Sequence, residues 1–444
     1  MASSRLQLIS KKVVKPSIPT SPSLRNYKLS LMDHQMVGIY MPMAFFYPNL
    51  HHHKHPHSRN EVSSHLENSL SKTLASYYPF AGRIAKNSSI NCNDMGATLL
   101  ECHVKGSMSE FLEENNMNAT SQADLFPSGL PFSSGHNDSS LVVAQLSHFD
   151  CGGKALSLCM NHKVGDAHTL FNFMNHWASV ARQSNETLPP QFIGFSIMPS
   201  NDDPSTESIL GPKQMKQGIT RRYVFDAQTL SQLKAKASAE SGVQNPTRVE
   251  VVTALLCKHV ITANMVCSGS FKPSVLATAV NFRSQIGPPV TQTSVGNFVS
   301  FALVLISDER ELNFSKLVGE IRKAKLQQYG KYKGIKQNEL VSTTLEIAEQ
   351  IKSFHGNDDI DTYGFSSLCR YPTNQIDFGW GKPIRINLAA NPFKNICSLL
   401  DNHNGDGIDV FIPLEEHVMS VLQRDPDLMA FAFPGSGFGE LKVA

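Results

Sequence analysis

The sequence predicts an α/β protein with mixed sheets, built from two halves of similar size. Short apolar runs at strand spacing alternate with helical patterns along the whole chain. That alternation dissolves once, into Pro, Ser, Asn and Asp between Pro189 and Gly218. The break marks a crossover near 196–220 between a first domain, 1–195, and a second, 221–444. The third observation is the unit from Ala155 to Arg182, where an apolar run ends in a polar turn and a helix begins. A hydrophobic share of 41% against 18% charged residues is enough to build large cores.

Taken in order, Met1 to Pro19 is a polar, basic lead without the apolar centre of a secretory signal. Tyr27 to Leu31 and Ile39 to Tyr47 alternate as strands. His51, His52, His53, His55 and His57 follow within seven residues. Consecutive histidines beside a proline lack the fixed spacing of a metal site and read as a solvated loop. Ser63 to Ser76 puts Leu66, Leu70 and Leu74 on one helical face, and Pro79 and Gly82 end it. Short strands over 89–104 precede a helical patch near Ser107 to Asn115 and a strand from Leu141 to Phe149. Cys151-Gly152-Gly153 then turns into a strand ending at His162. Helix 167–182 carries Leu170, Phe173, Met174 and Trp177 at amphipathic spacing.

The second half opens with a strand from Arg221 to Phe225 and a helix near Ala227 to Ser238. Thr247 caps a helix from Arg248 to Ala263. Strands are expected over Val275–Phe282 and Val295–Ile306, and helices over 314–328 and 337–352. The final strands are Ile376–Trp380, Ile384–Ala389, Ser398–Leu400 and Gly407–Ile412, before a helix near Leu414 to Arg424.

Composition excludes several function classes. A net charge of +2 gives no reason to expect nucleic acid or an anionic membrane as partner. No continuous stretch of about 20 apolar residues suggests a membrane span. The eight cysteines are dispersed without a C-x-x-C pair and read as free thiols of a reducing compartment. The sequons at Asn87 and Asn118 are then chance matches, and the cytoplasm is the expected location.

Two constellations carry chemistry. His162 stands at the mouth of a buried strand, with Asp166 four residues on and Gly165 between them. On a regular helix the two would share a face, a carboxylate orienting a general base. If His162 sits in a turn, Asp166 instead caps the helix. The second constellation is Asp377-Phe378-Gly379-Trp380-Gly381-Lys382-Pro383, whose glycines suggest a kinked strand or a backbone left open for a ligand.

With both motifs in hand, the chain resembles the plant BAHD acyltransferases over nearly its full length. The likeness rests on His162-Lys163-Val164-Gly165-Asp166 and Asp377-Phe378-Gly379-Trp380-Gly381 in the family's order and separation. Tyr78-Pro79-Phe80-Ala81-Gly82-Arg83, Phe149-Asp150-Cys151-Gly152-Gly153, Asn281-Phe282-Arg283-Ser284 and Gly296-Asn297 support it. Asn91-Cys92-Asn93-Asp94-Met95-Gly96 and Asn245-Pro246-Thr247-Arg248 resemble the branch holding vinorine synthase and capsaicin synthase. Peptide-synthetase condensation domains differ: Asn161 and Ala167 stand where those carry a histidine and a glycine.

The resemblance implies two chloramphenicol-acetyltransferase-like domains of similar size, with an active-site tunnel at their interface. A segment near 385–410 is a candidate to pack with the first domain. It implies His162 as the catalytic base, with Asp166 turned away toward Arg283 as structural support. Asp377, Gly379, Trp380 and Gly381 likewise support the site from a distance. The donor it implies is acyl-CoA, acetyl-CoA first and otherwise one carrying a short or branched aliphatic group, and the acceptor a hydroxyl or amine of a specialised plant metabolite such as an alkaloid or terpenoid. No metal is implied, and a monomer is expected. Thr247 and Arg248, at a helix start, suit the CoA phosphates by charge and by free N–H groups, with Lys163 and Lys382 as weaker candidates.

His162 would take the acceptor's proton as it attacks the thioester, and the CoA thiolate would leave without a covalent enzyme intermediate. Cys159 and Ser157 are then packing residues. The alternative, a non-catalytic accessory protein of the same fold, would keep the motifs without turnover. A hydrolase would need a nucleophile elbow, and Gly435-Ser436-Gly437 lacks the strand–turn–helix context.

Overall fold

The computed structural model describes residues 5–49, 58–85, 88–114, 124–133, 138–184, 186, 188–200, 218–391 and 393–435. The histidine stretch 51–57, both sequon asparagines, most of the 196–220 crossover, and Ser436 and Gly437 lie outside the described residues.

Two mixed sheets organise the chain. The first runs Leu6–Val14, Ala97–Val104, Val142–Phe149, Lys154–Asn161, Tyr40–Tyr47 and Arg385–Leu388 in spatial order. Both its faces are covered, so its central strands are buried almost throughout. Phe45 and Leu158 point to the face under helices Arg59–Ser76 and Ala167–Ala181. Phe46 and Cys159 point to the other, against Phe111 and Phe126. Trp177 ties the two helices together, donating its indole N–H to Ser69 Oγ at 3.0 Å.

The second sheet runs Val299–Ile306, Ser274–Asn281, Asp361–Ser367, Ile396–Asp401, Ile408–Leu414, Ile219–Phe225 and Phe433–Pro434. Helices Ala227–Ser241, Arg248–Ser268, Phe314–Tyr332 and Glu416–Leu422 pack on it. Helix Arg248–Ser268 has the length and composition to cross a membrane, yet most of it is buried within this core. It starts on a Thr247–Glu250 capping box and stops at Gly269, whose φ of 80° suits glycine.

The 385–410 segment divides between the sheets. Arg385–Leu388 pairs antiparallel with Tyr40–Tyr47 in the first, whereas Ile396–Asp401 belongs to the second. The first sheet is therefore completed by a strand from the far end of the chain.

Several elements differ from the sequence reading. The basic N-terminal lead contains an edge strand, Leu6–Val14, whose Leu8, Ile9 and Val13 are exposed. The expected strand from Tyr27 to Leu31 is only Asn26–Lys28, because Ser30 and Asp33 form a capping box that starts helix Leu31–Gln35. Val295 to Phe298 is loop, and the strand begins at Val299. Ile376 to Trp380 is not a strand but a turn. Gly379 and Gly381 both have φ of 92°, a region closed to strands, and each donates its amide to Asp377 Oδ1 at 2.8 and 2.9 Å.

Candidate active site

Strand Lys154–Asn161 ends in a single 3-10 turn, His162–Val164. Asn161 closes the turn: its Oδ1 accepts from the Lys163 amide at 3.0 Å, and its Nδ2 donates to the Gly38 carbonyl at 3.0 Å. The His162 amide donates to Ile39 O at 2.8 Å, so the neighbouring strand also fixes this backbone. A Cβ on Gly165 would lie 2.4–2.8 Å from side-chain atoms of Thr169, so the turn can approach the helix only through glycine here.

Asp166 caps the helix Ala167–Ala181, accepting from the Thr169 amide at 2.9 Å. Its carboxylate meets Arg283 of the second half in a two-pronged pair, Nη1–Oδ2 at 2.7 Å and Nη2–Oδ1 at 3.0 Å. The Phe298 amide adds a third donor at 3.1 Å. Arg283 is itself saturated by the carbonyls of Ser294 and Gly296 and by Asn281 Oδ1, and stacks over Phe298 at 4.6 Å. Both side chains are buried, so this is an internal charge pair with every prong engaged. Burial works to raise the Asp166 carboxyl, but Arg283 and the Thr169 amide hold it below the ordinary carboxylate value. Asp166 therefore locks the two halves together rather than orienting the imidazole, and the helical i, i+4 pairing is not made.

The His162 imidazole is surrounded by protein, yet the residue keeps part of its surface open to solvent. Burial lowers its pKa below the ordinary value, while its own carbonyl, Asp166 and the Asn297 side chain work in the opposite direction. A neutral imidazole is what a general base requires.

Two residues that sequence reasoning did not assign to the site support it from the second half and the N-terminus. Asn297 Nδ2 donates to the His162 carbonyl at 2.8 Å and to Asp33 Oδ1 at 2.8 Å. Asp33 Oδ1 also accepts from the Asn297 amide at 2.7 Å, and Oδ2 from the amide and hydroxyl of Ser30. Asp33 lies 264 residues from Asn297, so the only local signal was the Ser30–Asp33 capping pattern. Burial raises the Asp33 carboxyl, partly offset by these hydrogen bonds. Lys163 reaches the His34 carbonyl at 3.0 Å, and burial lowers its pKa.

The remaining candidates lie elsewhere. Asp377 shapes its glycine turn, while Phe378 packs edge-on against Trp177 and Tyr47, and Trp380 against Tyr47. Arg182 anchors the same turn through the Asp377 carbonyl. Thr247 caps its helix through the Glu250 amide at 3.2 Å. Arg248 is committed to Asp401 Oδ1 at 2.9 Å and to the Gly405 carbonyl at 2.8 Å. Around it stand cations the sequence reading did not single out. Arg322 and Lys325 share Glu250, and the Arg370 amide meets the second Asp401 oxygen. Among the described residues no group of three His, Cys, Asp or Glu side chains could hold a metal ion.

A family model described as "Transferase family" matches residues 4–429. A 17,18-epoxy-17-hydroxycur-19-ene N-malonyltransferase of Strychnos nux-vomica is 43% identical over 440 residues, covering 97% of this chain and 91% of that protein. Diaboline synthase of a Strychnos species is 42% identical, covering 97% and 93%. The crystal structure of vinorine synthase, an enzyme known from Rauvolfia serpentina, superposes with a TM-score of 0.82 at 29% identity, covering 96% of this chain and 98% of that one.

Proposed function

Because the chain belongs to the BAHD type of the transferase family, the plant acyltransferases that draw on acyl-CoA, we propose that it passes a short acyl group, acetyl or malonyl, to a hydroxyl or amine of an alkaloid, with His162 as general base. The observation that carries the reading is His162 itself, a largely buried imidazole on a residue that keeps part of its surface open, while Asp166 is wholly engaged with Arg283. Alkaloid chemistry comes from the Strychnos relatives, one of which is a malonyltransferase by name. That relative widens the donor beyond acetyl-CoA, and its N-acylation keeps amines beside hydroxyls as acceptors.

In this reading His162 lies in a tunnel between the domains 1–195 and 221–444. Its imidazole removes the acceptor's proton as the acceptor attacks the thioester, and the resulting imidazolium returns that proton to the departing thiolate. Charge buildup on His162 is brief, which suits a site where burial disfavours the cation. Thr247 and Arg248, with Lys325, Arg322 and Arg370 close by, give the CoA phosphates a helix start and a surplus of positive charge over Glu250 and Asp401. The same reading makes the enzyme a cytoplasmic monomer whose eight cysteines stand as free thiols.

The test is release of free thiol from acetyl-CoA and from malonyl-CoA, each with a panel of hydroxylated and amine-bearing alkaloids. Acceptor-dependent thiol release with an acylated product is expected. Release without an acceptor would make the protein a hydrolase, and silence across the panel would favour the accessory reading. The pH profile offers an independent check. A base is active when deprotonated, so kcat rises with pH through the His162 pKa and then levels. Since burial lowers that pKa, the acid limb of kcat should fall below the ordinary histidine value of about 6.5. An inflection at or above that value would contradict a buried, neutral imidazole.

A further inference from the structure

The chain approaching the crossover is bonded to both partners of the Asp33–Asn297 contact. Gln191 pairs its backbone with the loop before Asn297: its amide donates to Thr293 O at 2.9 Å, and its carbonyl accepts from the Val295 amide at 2.9 Å. Its side chain binds the same loop. Oε1 accepts from the hydroxyls of Thr291 and Ser294 at 3.0 and 2.7 Å, and Nε2 donates to Pro289 O at 3.1 Å. A carbonyl can only accept, so Pro289 fixes which end of the amide faces it. Further along, Met198 is fully buried among Leu31, Met32, Phe282 and Phe298, and its carbonyl accepts from the Leu31 amide at 2.9 Å. Helix Leu31–Gln35 carries Asp33, so one short stretch of chain grips the helix on one side and the Asn297 loop on the other.

We infer that Gln191 is a positioning residue for His162, acting through the loop from Thr291 to Phe298. The path is made of hydrogen bonds throughout. Ser294, which gives its hydroxyl to Gln191, gives its carbonyl to Arg283 Nε at 3.1 Å. The Gly296 carbonyl accepts from the Asp166 amide, from Thr169 Oγ1 and from Arg283 Nη2. Asn297 then donates Nδ2 to the His162 carbonyl at 2.8 Å. The loop therefore holds the turn at both His162 and Asp166. No helix or strand supports the loop between Ile286 and Val299, and Gln191 ties its residues to one another instead. The inference rests on His162 as the base. A base displaced by about 1 Å can lose about 10²-fold in rate, so a side chain that only shapes this loop can still govern turnover.

The test uses the full chain. Gln191→Met keeps the length of the side chain and removes its hydrogen bonds to Pro289, Thr291 and Ser294. It should lower kcat by about 10–100-fold with KM for acyl-CoA moved less than about threefold. In an Asn297→Ala background the same change should cost no more than about threefold further, because the path to His162 is already cut. Equal losses in both backgrounds would make Gln191 a general prop and overturn the inference, as would a single variant within about threefold of wild type. Hydrogen exchange reads the path without turnover. Gln191→Met should quicken exchange of the amides at 162–166 as well as 293–298 by at least about tenfold, and leave strand Val142–Phe149 unchanged. Quickening confined to 293–298 would overturn the inference even in a chain that transferred no acyl group, so failure here is distinct from failure of the acyltransferase reading. Ser294→Ala removes one of the bonds to Gln191 and is the milder variant should Gln191→Met fail to fold, with the same exchange pattern expected.

Discussion

His162→Ala should lower kcat by roughly 10²–10⁴-fold, the usual worth of a positioned general base, while KM for acyl-CoA and the melting temperature stay close to wild type. The fold does not lean on this imidazole. The residue's contributions to structure are its backbone bonds, from His162 N to Ile39 O and from Asn297 Nδ2 to His162 O, and alanine keeps both. The turn that holds it is closed by Asn161 and Gly165, which are untouched. Residual turnover is expected, because two substrates held side by side still gain from proximity. A variant within about threefold of wild type would remove His162 from the mechanism. A variant that no longer folds would mean that the side chain is structural.

The largest effect on stability should come from the pair beneath it. Asp166→Ala strands a buried guanidinium and Arg283→Ala strands a buried carboxylate, and each should cost about 3–5 kcal/mol. The double variant removes both charges at once and should be more stable than the sum of the single effects by about 1–3 kcal/mol. Unfolding followed by the fluorescence of Trp177 and Trp380 reads all three. Independent effects would reject the pair as a coupled unit. Because Asp166 also caps the helix and Arg283 also holds the 294–296 loop, neither alanine variant should keep the halves in register. Activity should fall in both although neither residue touches substrate.

How much of this was legible beforehand depended on the range of the interaction. The strand before His162 and the helix after Asp166 carried strong periodicity, and both lie within a residue of where they were expected. Helix Arg248–Ser268 runs five residues past its expected end, because its exposed last turns, with Val266 and Cys267, show no apolar face. Edge strand Leu6–Val14 was invisible for a related reason, since most of its residues face solvent and alternation has nothing to report. The glycines around Trp380 signalled an irregularity, but only their positive φ tells a turn from a kinked strand. Asp166 was ambiguous between orienter and cap in its local pattern; the family resemblance turned it toward Arg283, where it makes the two-pronged pair. Asp33 was beyond local reading, since it follows directly on a stretch read as strand, and Asn297 entered only as part of the Gly296-Asn297 match, within a segment read as strand, with no role assigned.

Strand Arg385–Leu388 also shapes how the molecule is born. Tyr40–Tyr47 leaves the ribosome early, but its outer neighbour emerges only after most of the chain has been translated. At about 5–20 residues per second, that edge stays bare for some tens of seconds. A nascent sheet with an open hydrogen-bonding rim invites stray strands, so newborn chains should depend on chaperones until their tail arrives.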